Sequence, residues 1–174
     1  MDYKISEKPV ISALEIEGSI RNLGQQITSQ FKVDLVLGVL TGSFIFVADL
    51  VRRLDPSVQI AFVNASSYGN AQKSTGCVEI LPWNAIDFTH KNVLIVDDIL
   101  DTGNTLSILS NRVREGGALE VKTCVLLDKP SRRQVQIHAD FVGFSIEDYF
   151  AVGYGLDFAS EYRALPAVYK MEKI

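Results

Sequence analysis

The 174-residue sequence is short of cysteine, of positive charge and of long apolar runs, and each shortage removes a class of protein. Its two cysteines, Cys77 and Cys124, have no metal-ligand spacing and no framework that requires a disulfide. Cys124 lies in an apolar run and reads as a buried free thiol, which fits a reducing cytoplasm. Lysine and arginine number 17 against 21 aspartates and glutamates, a formal net charge of −4. Such a chain has no overall attraction for nucleic acid or an anionic membrane, so neither is expected as a partner. The apolar runs are broken by Asp or Gly and fall far below the ~20 residues of a membrane span. The opening MDYKISEKPV has no apolar core, so no signal peptide is expected. A GxxxxGK loop is also missing, which disfavours a Walker-type nucleoside triphosphate site.

The composition that remains is that of a globular protein, 47% hydrophobic and 22% charged, and suits a single domain over residues 1–174. Apolar runs alternate with amphipathic ones, without repeats or linkers. Ser12–Phe31 carries Leu14, Ile16, Ile20, Leu23 and Ile27 at approximately helical spacing. Leu35–Leu40 reads as a buried strand, Phe44–Leu54 as a helix and Gln59–Val63 as a second strand. Ala65–Thr75, small, polar and glycine-containing, reads as a loop. Val93–Val96 is the clearest strand, Asn104–Glu115 the helix after it, and Gly116-Gly117 its stop. Val121–Leu127, Phe141–Ile146 and Phe150–Tyr154 complete the strands. This order predicts an α/β fold with a mainly parallel central sheet flanked by helices, and a ligand at the carboxyl ends of its strands.

The chemistry concentrates in Val93–Thr105, VLIVDDILDTGNT. Asp97 and Asp98 end the strongest strand, and Asp101-Thr102-Gly103-Asn104-Thr105 leads into a helix. Gly103 permits close backbone approach, the threonines carry hydroxyls, and the free N–H groups of a helix N-terminus favour an anion. With no Walker lysine, this cradle suits a terminal monophosphate. Three carboxylates beside a phosphate need compensation, from sugar hydroxyls, a Mg²⁺, or both.

VLIVDDILDTGNTL resembles the ribose-phosphate-binding signature of the purine phosphoribosyltransferases, most closely the bacterial hypoxanthine type. GVLTGSFIFVADLVR resembles that family's pyrophosphate loop and following helix, SSYG its flexible catalytic loop, and LLDKPSRR and DFVGFSIEDYFAVGYGLDFASEYRALP its purine-binding end. The resemblance spans about residues 35–168, in the family's order. It implies the phosphoribosyltransferase fold with a small hood built from the terminal segments. It further implies purine salvage: transfer of the phosphoribosyl group of 5-phosphoribosyl-1-pyrophosphate to hypoxanthine and guanine, with Mg²⁺ as cofactor. A homo-oligomer, dimer or tetramer, is implied too.

By the same resemblance Asp101 is the general base or acid near purine N7. Asp97 and Asp98 hold the ribose hydroxyls, and Thr102, Gly103, Asn104 and Thr105 cradle the 5′-phosphate. Leu40, Thr41, Gly42 and Ser43, with Arg163, bind pyrophosphate, and the bond after Leu40 is often a non-proline cis peptide in the family. Lys129 donates to the purine 6-oxo group. An ammonium has donors only, so it favours an oxo over an amino substituent. Phe150 stacks on the base, Ala151 and Ile99 line it, Arg133 orders the corner, and Ser67 and Tyr68 belong to the loop that covers the site. Asp157, with Asp97 and Asp98, is implied in holding the metal. The chain departs from the family at Asp97 (often Glu), Thr41 (often Lys or Arg), Gly76 (often Arg) and Glu147 (usually Pro).

Two other readings compete. VLIVDD resembles the first strand of a response-regulator receiver, but only 76 residues follow Asp98 and DTGNT is foreign to that site. An RNA-binding pyrimidine-operon regulator would share the fold, but needs a basic RNA face that a net charge of −4 argues against.

Overall fold

The computed structural model describes residues 3–67, 78–81, 83 and 85–174. In chain order the elements are β1 (Tyr3–Ile5), α1 (Ala13–Gln30), β2 (Leu35–Leu40), α2 (Phe44–Val51), β3 (Gln59–Ser67), β4 (Val78–Leu81) and β5 (Asn92–Leu100), then α3 (Asn104–Glu115), β6 (Glu120–Asp128), β7 (Phe141–Ser145), β8 (Ala151–Val152) and β9 (Tyr169–Lys173). A 3-10 turn covers Pro130–Arg132.

The central sheet runs β4-β3-β2-β5-β6-β7, parallel except for β4 at one edge. Its middle strands are apolar on both faces because helices cover both. Val36, Leu94, Val96, Cys124 and Leu126 face α1 and α2, with Ile16, Ile20, Leu23, Phe46 and Leu50 packed on them. Leu35, Leu37, Val93, Ile95 and Val125 face α3, with Leu106, Leu109 and Val113 on the other side of that layer. Each such side chain contributes about 1.5–3 kcal/mol over leaving it in water. β5 occupies the middle of this arrangement, so its carboxyl end is held from both faces.

α1 begins with a capping box: the Glu15 N–H donates to Ser12 Oγ, and the Ser12 N–H donates to Glu15 Oε2. Its buried stripe is Ile16, Ile20, Leu23 and Ile27, without Leu14, which is 78% exposed. Leu14 lies two residues, about 200° of helical turn, from Ile16 and so points away from the sheet.

Several boundaries differ from the sequence expectation. β3 and β5 extend past their apolar runs, to Ser67 and over Asn92–Leu100, because ladder hydrogen bonds do not require apolar side chains. Ala65–Ser67, expected in a loop, is therefore strand, while Tyr68 and Gly76 lie outside the described residues, as does Cys77. α2 ends at Val51, and the N–H groups of Arg53 and Leu54 turn onto Leu50 and Val51. Only Ala151–Val152 of the expected Phe150–Tyr154 strand forms, because Gly153 (φ 94°) and Tyr154 (φ 51°) turn the chain. α3 matches its expected span, with Gly116 as its cap.

The termini build a second, antiparallel sheet, β1-β9-β8, which pairs Tyr3 with Lys173 and Ala151 with Lys170. This is the hood that the resemblance implied. No helix among the described residues is long and apolar enough to cross a membrane. Burial keeps the Cys124 thiol well above the ordinary range for its proton, so it is an inert core group.

Candidate active site

Two adjoining cavities open at the carboxyl ends of the parallel strands. The first, of about 400 Å³, lies between the β5–α3 turn and the segment after β2. β5 delivers Asp97 and Asp98, and the chain then turns at Asp101-Thr102-Gly103 into α3. Gly103 has φ 90°, a conformation a residue with a Cβ adopts at a cost, and its carbonyl accepts the first helical hydrogen bond, from Ser107. The first turn of α3 carries no acidic residue, so its N–H groups offer a partial positive charge to an anion. Thr102, Gly103 and Thr105 line this cavity. Asn104 is exposed and is not among its lining residues, and its N–H lies 3.4 Å from Thr102 Oγ1.

Leu40, Thr41 and Gly42 form the opposite wall, and the Leu40–Thr41 peptide is cis. Gly42 packs directly on the Asp98 carboxylate, so a methyl group there would overlap it. Ser43 does not reach the cavity. Its fully buried hydroxyl donates to the Val39 carbonyl at 2.5 Å, which ties the start of α2 to β2. Arg163 and Asp157 complete the lining. Their side chains pair at 2.8 Å, Arg163 also donates to the Gly155 carbonyl at 2.7 Å, and Asp157 accepts from the Ser160 N–H at 2.8 Å.

Asp97 and Asp98 are the electrostatic feature of this cavity. Burial, followed by the charge of Asp98, pushes the Asp97 carboxyl well above the usual range. Burial raises Asp98 as well, against hydrogen bonds from Asp97 and the Ile99 N–H and the charge of Arg163. Asp97 Oδ1 accepts from the Asp98 N–H at 2.9 Å, and Asp98 Oδ1 from the Ile99 N–H at 2.7 Å. A buried acid pair of this kind calls for hydroxyl donors or a cation. No group of three or more metal-ligating side chains stands close together among the described residues. A cage made of protein alone does not fit. A Mg²⁺ held by one or two carboxylates, water and phosphate oxygens does.

The second cavity, of about 460 Å³, lies between β5, the turn after β6 and the β7–β8 connection. Lys129 is 7% exposed and lines it with Ile99, Phe150 and Ala151. Phe150 is 53% exposed and meets Phe158 edge-on at 5.4 Å, so one ring face remains for a flat ligand. Asp98, Ile99, Asp101 and Asp157 line both cavities and form their common wall.

The site also contains residues that sequence reasoning left unassigned. Arg132 Nε donates to Asp101 Oδ1 at 3.2 Å, and Asp148 stands beside both Arg132 and Lys129. The basic pair in LLDKPSRR is the available signal, but sequence alone does not say which arginine reaches Asp101. Arg133 bonds the carbonyls of Leu100 and Asp101 and the Asp128 carboxylate, and so fixes the corner that carries Asp101. Glu147 is exposed, and its carbonyl accepts from the Tyr149 N–H.

Comparison with known proteins agrees with this geometry. The family model for the phosphoribosyl transferase domain matches residues 11–159. Hypoxanthine phosphoribosyltransferase of Escherichia coli K12 is 48% identical over 170 residues, 93% of each chain. Hypoxanthine-guanine phosphoribosyltransferase of Bacillus subtilis is 43% identical over 164 residues, 93% of this chain and 91% of the relative. The crystal structure of a hypoxanthine-guanine phosphoribosyltransferase from Bacillus anthracis superposes with a TM-score of 0.88 at 38% identity, covering 98% of this chain and 99% of that one. With its parallel sheet, its DDILDTGNT turn and these relatives, the chain belongs to the phosphoribosyl transferase family.

Proposed function

We propose that this chain is a hypoxanthine phosphoribosyltransferase of purine salvage, which moves the phosphoribosyl group of 5-phosphoribosyl-1-pyrophosphate onto hypoxanthine, with guanine as a second acceptor. The observation that carries the reading is the common wall: a cavity ending on a helix N-terminus and one holding a buried lysine beside an exposed aromatic ring meet at Asp98, Ile99, Asp101 and Asp157. A sugar bound in the first cavity presents its anomeric carbon to a base in the second, and little more than alignment is then needed.

The 5′-phosphate sits on the α3 N-terminus against Thr102, Gly103 and Thr105, with Asn104 beside it at the start of the helix, and the acid pair Asp97–Asp98 accepts from the ribose hydroxyls. Leu40, Thr41 and Gly42 contact pyrophosphate through backbone, and Arg163 supplies charge where Thr41 has none. Ser43 acts behind them, through its bond to Val39. Phe150 stacks on the base, Ala151 presents backbone to its edge, Ile99 packs below it, and Lys129 donates to the 6-oxo oxygen. The C–O bond to pyrophosphate breaks as the C–N bond to the base forms, and Asp101 takes the proton that the base releases. If Mg²⁺ binds, the acid pair Asp97–Asp98 would hold it with one or two carboxylates and Asp157 would reach it through water, and the ion would neutralise charge on the phosphates. The resemblance assigns Ser67 and Tyr68 to the segment that covers the site in the family, and Tyr68 lies outside the described residues. The same reading includes homo-oligomeric assembly as a dimer or tetramer and a cytoplasmic place of action.

The test is an assay with 5-phosphoribosyl-1-pyrophosphate, Mg²⁺ and a panel of hypoxanthine, guanine, xanthine, adenine and uracil. Turnover with hypoxanthine, and none with adenine or uracil, is expected. Equal use of adenine would overturn the role of Lys129, and no turnover with any purine would overturn the function.

A further inference from the structure

We propose that Asp148 and Arg132 form a charge bridge across the second cavity that aims Lys129 at the base and holds Asp101 at the junction of the two cavities. The bridge rests on the function proposed above and assigns it two further positioning residues. Lys129 Nζ, almost out of solvent, lies 4.0 Å from Asp148 Oδ1. An ammonium so placed needs a nearby anion. At 4.0 Å, however, the contact is a charge pairing and not a hydrogen bond, so the three donors of Lys129 remain available to a ligand.

The other oxygen of the same carboxylate, Asp148 Oδ2, stands 3.8 Å from Arg132 Nη1, and Arg132 Nε donates to Asp101 Oδ1 at 3.2 Å. A guanidinium is a rigid planar fork, so it holds the two carboxylates at a set spacing. All four side chains line the second cavity. Their order, Lys129–Asp148–Arg132–Asp101, alternates in sign, and the two cations and two anions cancel. A neutral oxopurine therefore meets four charged groups that carry no net charge, while the donor and the proton acceptor stay in fixed relation to one another.

If these contacts were only surface ion pairs, their loss would change little beyond stability. The bridge makes a different set of demands, which steady-state kinetics can separate in the wild type, Asp148→Asn, Arg132→Gln and Arg132→Lys. For Asp148→Asn the hypoxanthine KM is expected to rise about fivefold to tenfold, the effect of one partly exposed charge, with the 5-phosphoribosyl-1-pyrophosphate KM within about twofold of wild type. The four groups then carry a net positive charge. Use of an oxopurine presented as its anion, such as xanthine at mildly alkaline pH, is therefore expected to improve relative to hypoxanthine. For Arg132→Gln kcat is expected to fall about tenfold, and Arg132→Lys, which keeps the charge, to recover part of it. An unchanged hypoxanthine KM and unchanged base preference in Asp148→Asn overturns the bridge. So does a parallel rise in both KM values with a lowered melting temperature. A wild-type chain that transfers to no 6-oxopurine removes the function and the bridge together, whereas an active wild type with indifferent variants removes the bridge alone.

Discussion

Replacing Gly103 by Ala perturbs the turn proposed as the phosphate cradle. The backbone there has φ 90°, and a residue with a Cβ pays roughly 1–2 kcal/mol to adopt a left-handed conformation. The added methyl would lie 2.6 Å from Ile137 Cγ2 and 3.2 Å from Arg133 Cδ. Both are side-chain atoms and can move, so the overlap adds about 1–2 kcal/mol, toward the low end for overpacking. The total of about 2–4 kcal/mol corresponds to a melting temperature lower by roughly 5–15 °C for a domain of this size. Displacing Arg133 also loosens its hold on the Leu100 and Asp101 carbonyls, so the damage reaches the common wall. Calorimetry and a titration with ribose 5-phosphate measure the two effects, and an affinity at least about tenfold weaker is expected for the loss of a charge-assisted contact. Gly18→Ala is the control. It lies inside α1, nothing stands within 4 Å of the added methyl, and it should stabilise the chain by about 0.5–1 kcal/mol without touching ligand affinity. A Gly103→Ala protein that melts with wild type and binds ribose 5-phosphate normally would refute the assignment of this turn as the cradle.

Two other substitutions probe the acid pair and the base. Burial holds Asp97 above its ordinary range, so its contribution to stability is fullest at low pH and is lost as pH rises through the raised value. In metal-free buffer, ligand-free wild type should therefore lose stability relative to Asp97→Asn as pH rises from about 4 toward neutrality, and a constant difference in melting temperature across that window contradicts the burial argument. Lys129→Met keeps the side-chain length but removes every donor, and should weaken hypoxanthine use roughly 10- to 150-fold, as a lost charged hydrogen bond does; unchanged hypoxanthine kinetics rule out that bond.

The legible part of the molecule was the part whose causes are local. β5, its DDILDTGNT turn and α3 could be read because an apolar strand, a glycine and a helix start are consecutive in sequence. The hood could not be read from periodicity. Tyr3–Ile5 and Tyr169–Lys173 are short and partly exposed, and each is a strand because of partners at the opposite end of the chain. Leu14 belongs to the apolar set of its helix, yet composition does not record the angle at which it points. Ser43 was read with its loop, yet its hydroxyl turns back to Val39, a choice set by the start of α2. The partners of Asp101 and Lys129 were missed because they come together only in the fold, Arg132 from 31 positions beyond Asp101 and Asp148 from the β7–β8 connection.

In the proposed function, phosphoribosyl transfer takes place at the wall shared by the two cavities, with Asp101 moving the proton. Hypoxanthine-dependent pyrophosphate release by Asp101→Asn tests it most directly, because the substitution keeps the shape of the wall and removes its base. A kcat lower by about 10²–10⁴-fold, with the 5-phosphoribosyl-1-pyrophosphate KM little changed, is expected. A kcat near wild type would contradict it.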